Sequence, residues 1–429
     1  MMLAGGLSAD APVEAVSTWV CDIGAHQFRA GMSGDTVPVS FSSSVGYVLE
    51  NNDGGNPPAA EPGSPLRLKQ MKRSFVASAL ETVQPDMIIR PVFNSSGLVD
   101  SWGGYEELWD YFFSSSCRGR HAVTPAESAF ILAEQPFVPP SDRQKICELL
   151  FEKYTVPAVS MVKTPVLGTF ANARTSAVCV DIGHSVVSST VVQDGFFNRN
   201  SVHKSNFAGH ELTLQMYDSI QKNSPGSKCL PSYLVDSADY DEERFHDTYT
   251  RFHGLETARS FKEGVCYVSK TPLIELPEGG LDAQVASAPY QLPDGTVIEA
   301  SGKVRIEIPE MLFDPPSGGR FSRVEPLGKL VYSSLRMCNA DFARDMWSHV
   351  VVIGGSSALP GITERLNQEL APLTPKSIPV NVISAQPQNR GMSAWLGGSI
   401  LGTLPYNQIA MTKAEYAEHG AAFIGQRCA

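Results

Sequence analysis

The chain has 429 residues, of which 42% are hydrophobic and 18% charged, and its formal net charge at pH 7 is −11. This length exceeds the size at which one hydrophobic core usually keeps growing, so we expect at least two domains. The negative charge argues against a large nucleic-acid surface, because nucleic-acid phosphates are bound by clusters of lysine and arginine.

The eight cysteines form no Cys-x-x-Cys pair, and several lie inside apolar runs. This usage is typical of buried, reduced thiols in a cytosolic or nuclear protein. Residues 1–16 have neither a basic start nor an apolar run of signal-peptide length, and no run of about 18 apolar residues occurs. We therefore expect neither secretion nor a membrane span.

The first predicted elements are strands separated by tight turns. Residues 20–24, Val-Cys-Asp-Ile-Gly, form an apolar run that ends at a carboxylate and a glycine. Residues 27–30 and a run ending at Leu49 are predicted as the next strands.

Two segments that follow carry little apolar surface. Residues 51–65 are rich in Asn, Gly, Pro and Ala, so we predict an insertion loop there. Residues 67–73 form a basic cluster, which is either a solvated surface patch or a nuclear import signal.

The middle of the chain alternates strands and helices, which is typical of an α/β layer architecture. After a strand at 128–134, Ser141 and Gln144 have the capping-box spacing, so Ser141 is the predicted N-cap of a helix. Its apolar residues fall on one face: Ile146, Leu149, Leu150 and Tyr154. The next predicted elements are a strand at 156–162, a helix at 165–174 and strands between 177 and 197.

The later part of the chain begins with a second predicted insertion loop, the polar residues 223–244. The helix that follows is predicted to reach residues 261–263. A Pro-Asp-Gly turn indicates a hairpin within 290–308, and a helix-rich segment is predicted after Pro309.

Three predicted strands end in glycine-containing turns: 20–24, 179–183 (Cys-Val-Asp-Ile-Gly) and 350–357 (Val-Val-Val-Ile-Gly-Gly-Ser-Ser), the last before a predicted helix at 362–370. Glycines allow positive φ and close approach, so backbone amides can converge on a phosphate at such ends. A single Asp-x-Gly is more often a hairpin corner. Three of these ends predict two halves built alike, with a nucleotide between them.

Further motifs accompany these turns: Lys262-Glu263 before Cys266-Tyr267-Val268, residues 309–313 (Pro-Glu-Met-Leu-Phe), residues 354–361 (Gly-Gly-Ser-Ser-Ala-Leu-Pro-Gly), residues 393–401 (Ser-Ala-Trp-Leu-Gly-Gly-Ser-Ile-Leu), residues 413–416 (Lys-Ala-Glu-Tyr) and Arg427-Cys428. With these motifs, nearly the whole chain resembles the actin and actin-related protein family.

The resemblance implies an α/β, two-lobed, actin-like ATPase fold of the duplicated ribonuclease H-like type, with a nucleotide cleft between the lobes. The first lobe is expected to comprise 17–175 and 403–429, with a small insertion subdomain at about 47–90. The second is expected to comprise 176–402, with a small insertion subdomain at about 210–290.

The resemblance also implies ATP or ADP with Mg²⁺ or Ca²⁺ in the cleft. Asp22 and Asp181, on opposite lobes, are expected to steer the cation through water, because Mg²⁺ keeps most of its waters and binds few carboxylates. The implied nucleotide-binding residues are Asp22, Gly24, Ala25, His26, Arg29, Asp181, Gly183, His184, Lys262, Glu263, Gly354, Gly355 and Ser356.

The chain departs from the family pattern around the phosphates. Ala25, His26 and Arg29 stand where the family usually has a hydroxyl, a glycine and a lysine, and His184 replaces an acidic residue near the metal. Gly391 stands where the family has a lysine near the adenine. These changes bear on nucleotide affinity as well as on turnover.

No catalytic residue is expected. Thr164 corresponds to the glutamine that positions the attacking water, and Ser188 corresponds to the histidine that assists it. Loss of such positioning commonly costs on the order of 10²-fold or more in rate, so we predict at most a very slow ATPase. Alternatively, the two hydroxyls hold the water directly or through a second water. His26 and His184 could instead form a metal pair, although such histidines are more often hydrogen-bonded loop residues.

Shorter matches indicate a branch of the family. Residues 45–48, 163–167, 170–174 and 194–196 look most like the nuclear actin-related protein 4 class. That resemblance implies a structural or regulatory subunit of chromatin-remodelling or histone-acetyltransferase complexes, located in the nucleus with a cytoplasmic pool also allowed. The implied partners are actin and a long scaffold helix, with chromatin contacted indirectly.

Filament formation is not expected, because the insertions at 51–65 and 223–244 cannot easily present the flat, repeated contact that open-ended assembly needs. The competing function is a conventional filament-forming, cytoskeletal actin-like ATPase. A sugar kinase would need a base aspartate and a chaperone a peptide-binding domain, and the sequence shows neither.

The family's partner groove corresponds to an apolar set that is suited to an amphipathic helix. Its positions are Phe170, Ala173, Thr175, Leu401, Leu404 and Tyr406. Leu401 can equally be a core residue, since it has helical spacing with Trp395 and Leu404.

Overall fold

The computed structural model of the chain describes residues 17–49, 71–114, 123–223, 229–235, 245–275, 285–318, 321–375, 378–404 and 409–428. The predicted insertion at 51–65 lies outside these ranges, as do parts of the basic cluster at 67–73 and of the polar stretch 223–244.

The strands are β1 Ser17–Ile23, β2 Gln27–Met32, β3 Val39–Ser42, β4 Ser44–Leu49, β5 Met71–Phe75, β6 Ile88–Pro91, β7 Ser128–Glu134, β8 Ala158–Lys163, β9 Ala177–Ile182, β10 Val187–Gln193, β11 Phe196–Phe197, β12 His203–Ser205, β13 Ala288–Gln291, β14 Val297–Ala300, β15 Val350–Ile353, β16 Val382–Ser384 and β17 Met411–Thr412.

The helices are Trp102–Phe113, Pro140–Glu148, Thr164–Ala171, Gly209–Asn223, Ser232–Val235, Asp247–Val265, Gly302–Glu310, Leu327–Leu335, Ala340–Ser348, Ile362–Leu370, Pro387–Arg390, Ser393–Gly402, Lys413–His419 and Ile424–Arg427. Within the described ranges, no helix combines the length and the apolar character that crossing a membrane requires.

Two sheets of similar construction frame the molecule. In the first, the strand order is β17-β8-β7-β1-β2-β3, with β1 parallel to β7 and antiparallel to β2. In the second, the order is β11-β10-β9-β15-β16, with β9 parallel to β15 and antiparallel to β10. Each Asp-x-Gly strand therefore lies between a parallel neighbour and its own hairpin partner. The predicted α/β fold with two similar halves is confirmed.

Two helices cross closely between the sheets. A Cβ at Gly397 would clash with the carbonyl group of Leu167, so glycine permits the helix Ser393–Gly402 to approach the helix Thr164–Ala171. Trp395 is fully buried and packs in one cluster with Val20 and Ile131 of the first sheet. The helix Ser393–Gly402 thus contacts the first sheet ahead of the lobe boundary predicted at 402/403.

A hydrophobic cluster, which we call the cross-lobe cluster, joins two segments that lie far apart in the sequence. One side comes from the segment between β4 and β6, and the other from the segment that leads into the helix Asp247–Val265. Two amides bond across it: His246 N donates to Pro85 O (3.0 Å), and Ile89 N donates to Thr248 Oγ1 (3.1 Å). Its buried members are Phe75, Leu80, Met87, Ile89, Leu230, Leu234, Phe245 and Tyr249.

Acid is expected to weaken the protein through His253, which lies beside this cluster. The ring is 4% exposed, Tyr233 Oη lies 2.8 Å from Nδ1, and burial lowers the pKa of His253 from 6.5 to about 4. Its contribution to the free energy of unfolding is therefore present above pH 6.5 and is lost as pH falls through about 4. His253→Asn keeps a polar partner for Tyr233 but takes up no proton. Between pH 6.5 and about 4, the free energy of unfolding should therefore fall by about 3 kcal/mol less in this variant than in the wild type.

Chemical unfolding at several pH values between these limits measures the difference. His419→Asn is the control, because that side chain is 42% exposed. An identical loss of stability with pH in wild type and His253→Asn would contradict the prediction.

Local boundaries differ from prediction in two regions. The helix predicted from Ser141 is Pro140–Glu148, with Pro139 as N-cap and no side-chain cap. Proline suits the first helical position because its φ is already helical, so Ser141 falls inside the first turn. The predicted capping box at Ser141 is therefore wrong. After Glu148 the chain continues as the π-helical segment Leu149–Lys153, and the predicted apolar face extends along it to Tyr154, with both Leu150 and Tyr154 buried.

The second region is the later part of the chain. The polar stretch 223–244 contains the short helix Ser232–Val235. The helix-rich segment predicted after Pro309 already begins with Gly302–Glu310, which includes that proline near its end. The predicted hairpin is confirmed as β13 and β14.

Candidate functional site

A cleft of about 530 Å³ lies where β1, β9 and β15 end. Thr164 and Gly391 border it, but Ser188 is not among its lining residues. All implied nucleotide-binding residues also border it: Asp22, Gly24, Ala25, His26, Arg29, Asp181, Gly183, His184, Lys262, Glu263, Gly354, Gly355 and Ser356. Residues from distant parts of the sequence and from both sheets therefore meet in one place.

The floor of the cleft holds the two aspartates. Asp22 Oδ2 lies 3.5 Å from Arg29 Nη1, and Asp181 Oδ2 accepts a hydrogen bond from Gln135 Nε2 (3.1 Å). Burial raises the pKa of both carboxyls, that of Asp181 to about 6, and the negative charge of Asp22 also contributes to the rise at Asp181. The two carboxylates therefore interact across the boundary between the lobes.

The three glycine turns are tied to one another. Gly24 N donates to Gln27 O (3.0 Å) and Gly183 N donates to Val186 O (3.0 Å), so these two amides close their own hairpins. Ser356 Oγ donates to Gly183 O (2.9 Å), which joins the third turn to the second. Any phosphate-binding amides must therefore come from residues beside Gly24 and Gly183 in each turn.

Lys262 is held inside the protein. Its Nζ donates to Gly209 O (3.1 Å) and to Thr213 Oγ1 (2.9 Å), and the residue is 3% exposed. Burial is the main reason that its pKa falls to about 8. The neighbouring Glu263 is exposed at the edge of the cleft.

His26 and His184 face each other across the cleft, with ring centroids 5.2 Å apart. His26 Nε2 also lies 3.3 Å from Glu256 Oε1 of the other lobe, and Glu256 Oε2 accepts from Arg259 Nη1 (2.9 Å). Among the described residues, no group of three His, Cys, Asp or Glu could hold a metal ion. A metal ion held by these two histidines would therefore lack a third such ligand among the described residues.

Thr164 and Ser188, which stand at the positions expected to orient the attacking water, differ in whether they border the cleft. Thr164 borders the cleft, although the residue is only 3% exposed. Ser188 lies opposite Asp181 in the β9–β10 register, is 4% exposed and lies outside the cleft lining. The alternative in which both hydroxyls hold a water receives no support at Ser188.

Three cleft residues were missed by the sequence reasoning: Gln135, Glu256 and Arg259. Gln135 directly follows β7, the parallel neighbour of β1, so the end of that strand was the available signal. Glu256 and Arg259 precede Lys262 at helical spacing, so charge periodicity on the helix could have revealed both.

The predicted groove residues are partly accessible. Phe170 and Leu401 are half-buried, with Leu401 packed against the cluster of Val20, Ile131 and Trp395. Ala173, Thr175 and Leu404 are exposed, Leu404 by 55%. Tyr406 lies outside the described residues. Leu401 is thus partly a core residue, as one of its two interpretations required.

A divalent cation could be reached by Asp22 and Asp181 only indirectly, through water. The two carboxylates face one cleft and can act on a hydrated ion, which suits a cation that binds mainly phosphate and water. Because Asp22 is already paired with Arg29, the described residues offer steering rather than a complete set of ligands.

Comparison with known proteins gives a consistent result. The Actin family model matches residues 13–429. Actin-related protein 4 of Arabidopsis thaliana is 28% identical over 447 aligned residues, which cover 96% of this chain and 98% of the relative. Actin-related protein 4 of Oryza sativa, from both subsp. indica and subsp. japonica, is 30% identical over 449 residues with the same coverage. With a family match over nearly its whole length and the cleft at its expected place, the chain belongs to the actin family.

Proposed function

We propose that this chain is a non-filamentous nuclear actin-related protein that binds ATP or ADP with weak or no hydrolysis. In this role it is a structural or regulatory subunit of chromatin-remodelling or histone-acetyltransferase complexes, in the nucleus and also in a cytoplasmic pool. The observation that carries the proposal is a cleft that unites three glycine turns, while the two sequence positions expected to orient the attacking water hold Thr164, at the cleft, and Ser188, outside its lining. Its similarity to relatives named actin-related protein 4 supports this branch.

A bound nucleotide would stabilise the closed arrangement of the lobes. Asp22 and its turn belong to one lobe, whereas Asp181 and Gly354 belong to the other, so a ligand that contacts both adds its binding energy to their interface. At a hundredfold excess over Kd this linkage contributes about 2.7 kcal/mol. Mg²⁺ or Ca²⁺ bound to the phosphates would be steered by Asp22 and Asp181 through water.

Slow turnover follows from what borders the cleft. Hydrolysis of a phosphoanhydride needs a positioned water, because the protein contributes chiefly orientation and electrostatics to this reaction. Thr164 is short and almost fully buried, and Ser188 lies off the cleft. Neither side chain is suited to orient a water beside the terminal phosphate.

The partners in this proposal are actin and a long scaffold helix that binds the groove around Phe170 and Leu404, with chromatin reached through them. Leu404→Asp should weaken capture of the scaffold helix at least tenfold, because it puts a charge into an apolar contact. Ile274→Asp is the control, since Ile274 is 89% exposed on another part of the surface. Equal capture of the helix by both variants in a pull-down would count against the groove.

The proposal is tested by denaturing the purified chain and identifying the released nucleotide by chromatography. Recovery of intact ATP after prolonged incubation supports the proposal, whereas rapid phosphate release contradicts the proposed weak or absent hydrolysis. Sedimentation with Mg²⁺ and ATP tests the alternative, a filament-forming cytoskeletal ATPase, because only that protein would pellet. Purification of the tagged chain from nuclei identifies its companions.

A further inference from the structure

Two imidazoles, His26 and His184, border the cleft, and a third, that of His210, packs against His184 from outside the cleft lining. His26 lies in the turn after β1, His184 in the turn after β9, and His210 in the first turn of the helix Gly209–Asn223. The ring centroids of His184 and His210 are 4.9 Å apart, and those of His26 and His184 are 5.2 Å apart, so the three rings form a row of contacts. This row of rings lies beside the two facing Asp-x-Gly turns, at the end of the cleft assigned above to phosphates.

Cationic side chains lie near His26 and His184. Burial, and then the positive charge of Arg259, lower the pKa of both His26 and His184 well below 6.5, with Lys262 also contributing at each ring. The rings of His26 and His184 are thus neutral in the ligand-free protein, and the cationic groups Arg259 and Lys262 lie near both. A polyanion is attracted to such a place, and a neutral imidazole still offers it an N–H donor.

The neighbouring carboxylates already have partners within the protein. A divalent cation favours oxygen ligands, and here it would compete with these partners and meet repulsion from the arginines. The pairs are Asp22 with Arg29 (3.5 Å), Asp181 with Gln135 (3.1 Å), and Glu256 with both Arg259 (2.9 Å) and His26 (3.3 Å).

We propose that this cleft binds the polyphosphate of a nucleotide without requiring a divalent cation. In a carboxylate-rich site, a metal ion neutralises the charge of the phosphates. Here His26 and His184 donate hydrogen bonds to the phosphates, and Arg259 supplies positive charge. The inference rests on the proposed function, because it concerns the ligand of the same cleft. It makes the metal-free nucleotide, and not only its metal complex, a ligand of this protein.

Calorimetric titration of the full chain, freed of nucleotide, with ATP tests the inference in excess EDTA and in excess MgCl₂. We expect Kd values within about threefold of each other, and a Kd at least tenfold weaker in EDTA, about 1.4 kcal/mol, would overturn the inference. Tenfold weakening in EDTA would leave the proposed function standing, since ATP would still bind with Mg²⁺. No binding under either condition would overturn both.

Substitutions at His184 test whether its imidazole takes over the role of the metal ion or only fills space in the cleft. His184→Asp restores the acidic residue expected there in the family, so binding should become at least tenfold weaker in EDTA than in MgCl₂. His184→Asn removes the imidazole without adding charge, so binding should weaken equally in both solutions. His419→Asp, on the exposed surface, is the control for added charge. Unchanged cation independence in a folded His184→Asp variant would contradict the assignment to His184.

Discussion

Replacing Gly354 with alanine is expected to lower the thermal unfolding midpoint by several degrees and to abolish nucleotide binding. Gly354 has φ +93°, where an alanine is strained, and a Cβ there would lie 2.5 Å from Ile182 O and would clash with Asp181 Oδ1. Strain and overpacking each cost about 1–3 kcal/mol, so the free energy of unfolding should fall by about 2–6 kcal/mol. The same clash displaces Asp181 and the second glycine turn, which explains the expected loss of binding.

The adjacent glycine provides a matched control. A Cβ at Gly355 has no heavy atom within 4 Å, and its φ is not in the left-handed region. Gly355→Ala should therefore change stability by no more than about 0.5 kcal/mol. Differential scanning fluorimetry of both variants is sufficient, and equal midpoints for the two would show that the third turn is not constrained as the structure indicates.

Shortening Leu234 to alanine is expected to open the cleft by releasing the small subdomains from each other. Leu234 is fully buried in the cross-lobe cluster, whose other side comes from residues between β4 and β6. Loss of a buried leucine costs about 2–5 kcal/mol. If the variant destabilises the closed state of the cleft relative to the open state by this amount, the open state becomes at least about 30-fold more populated. The helix Asp247–Val265 runs from this cluster to Arg259 and Lys262 in the cleft, so opening should also accelerate nucleotide release.

Hydrogen exchange reports this opening without any ligand. The amides of Ile89 and His246 bond across the cluster, so both should exchange faster in Leu234→Ala. Leu366→Ala is the matched control, because it removes an equally buried leucine from the core of the second lobe. If the amides of Ile89 and His246 exchange at the same rate in both variants, the cluster has no role in closing the cleft.

Much of the fold could be predicted because its signals are local. A strand buried on both faces has a continuous apolar sequence, so β1, β9 and β15 were recognisable, and the glycines that follow them indicated turns. The helix Ile362–Leu370 was predicted at its observed bounds because its apolar spacing is regular. Where two local signals competed, prediction was wrong: Pro140 and Ser141 both suit a helix start, and the fixed φ of proline prevailed.

Long-range packing decided the rest. Nothing near Gln135 or Glu256 in the sequence shows that one faces Asp181 and the other His26, because those contacts form only when separate elements fold together. The same holds for the cross-lobe cluster, whose members occupy two distant segments with unremarkable apolar patterns.

The sequence by itself determined the two similar halves, the strand ends that meet at the cleft and the short side chains at the water-orienting positions. The tertiary structure alone decided that Ser188 lies off the cleft, that the carboxylates already have protein partners and that three imidazoles meet beside them. The physical reason is that strand and turn formation depends on neighbouring residues, whereas burial, pairing and electrostatic potential depend on which distant residues become neighbours in space.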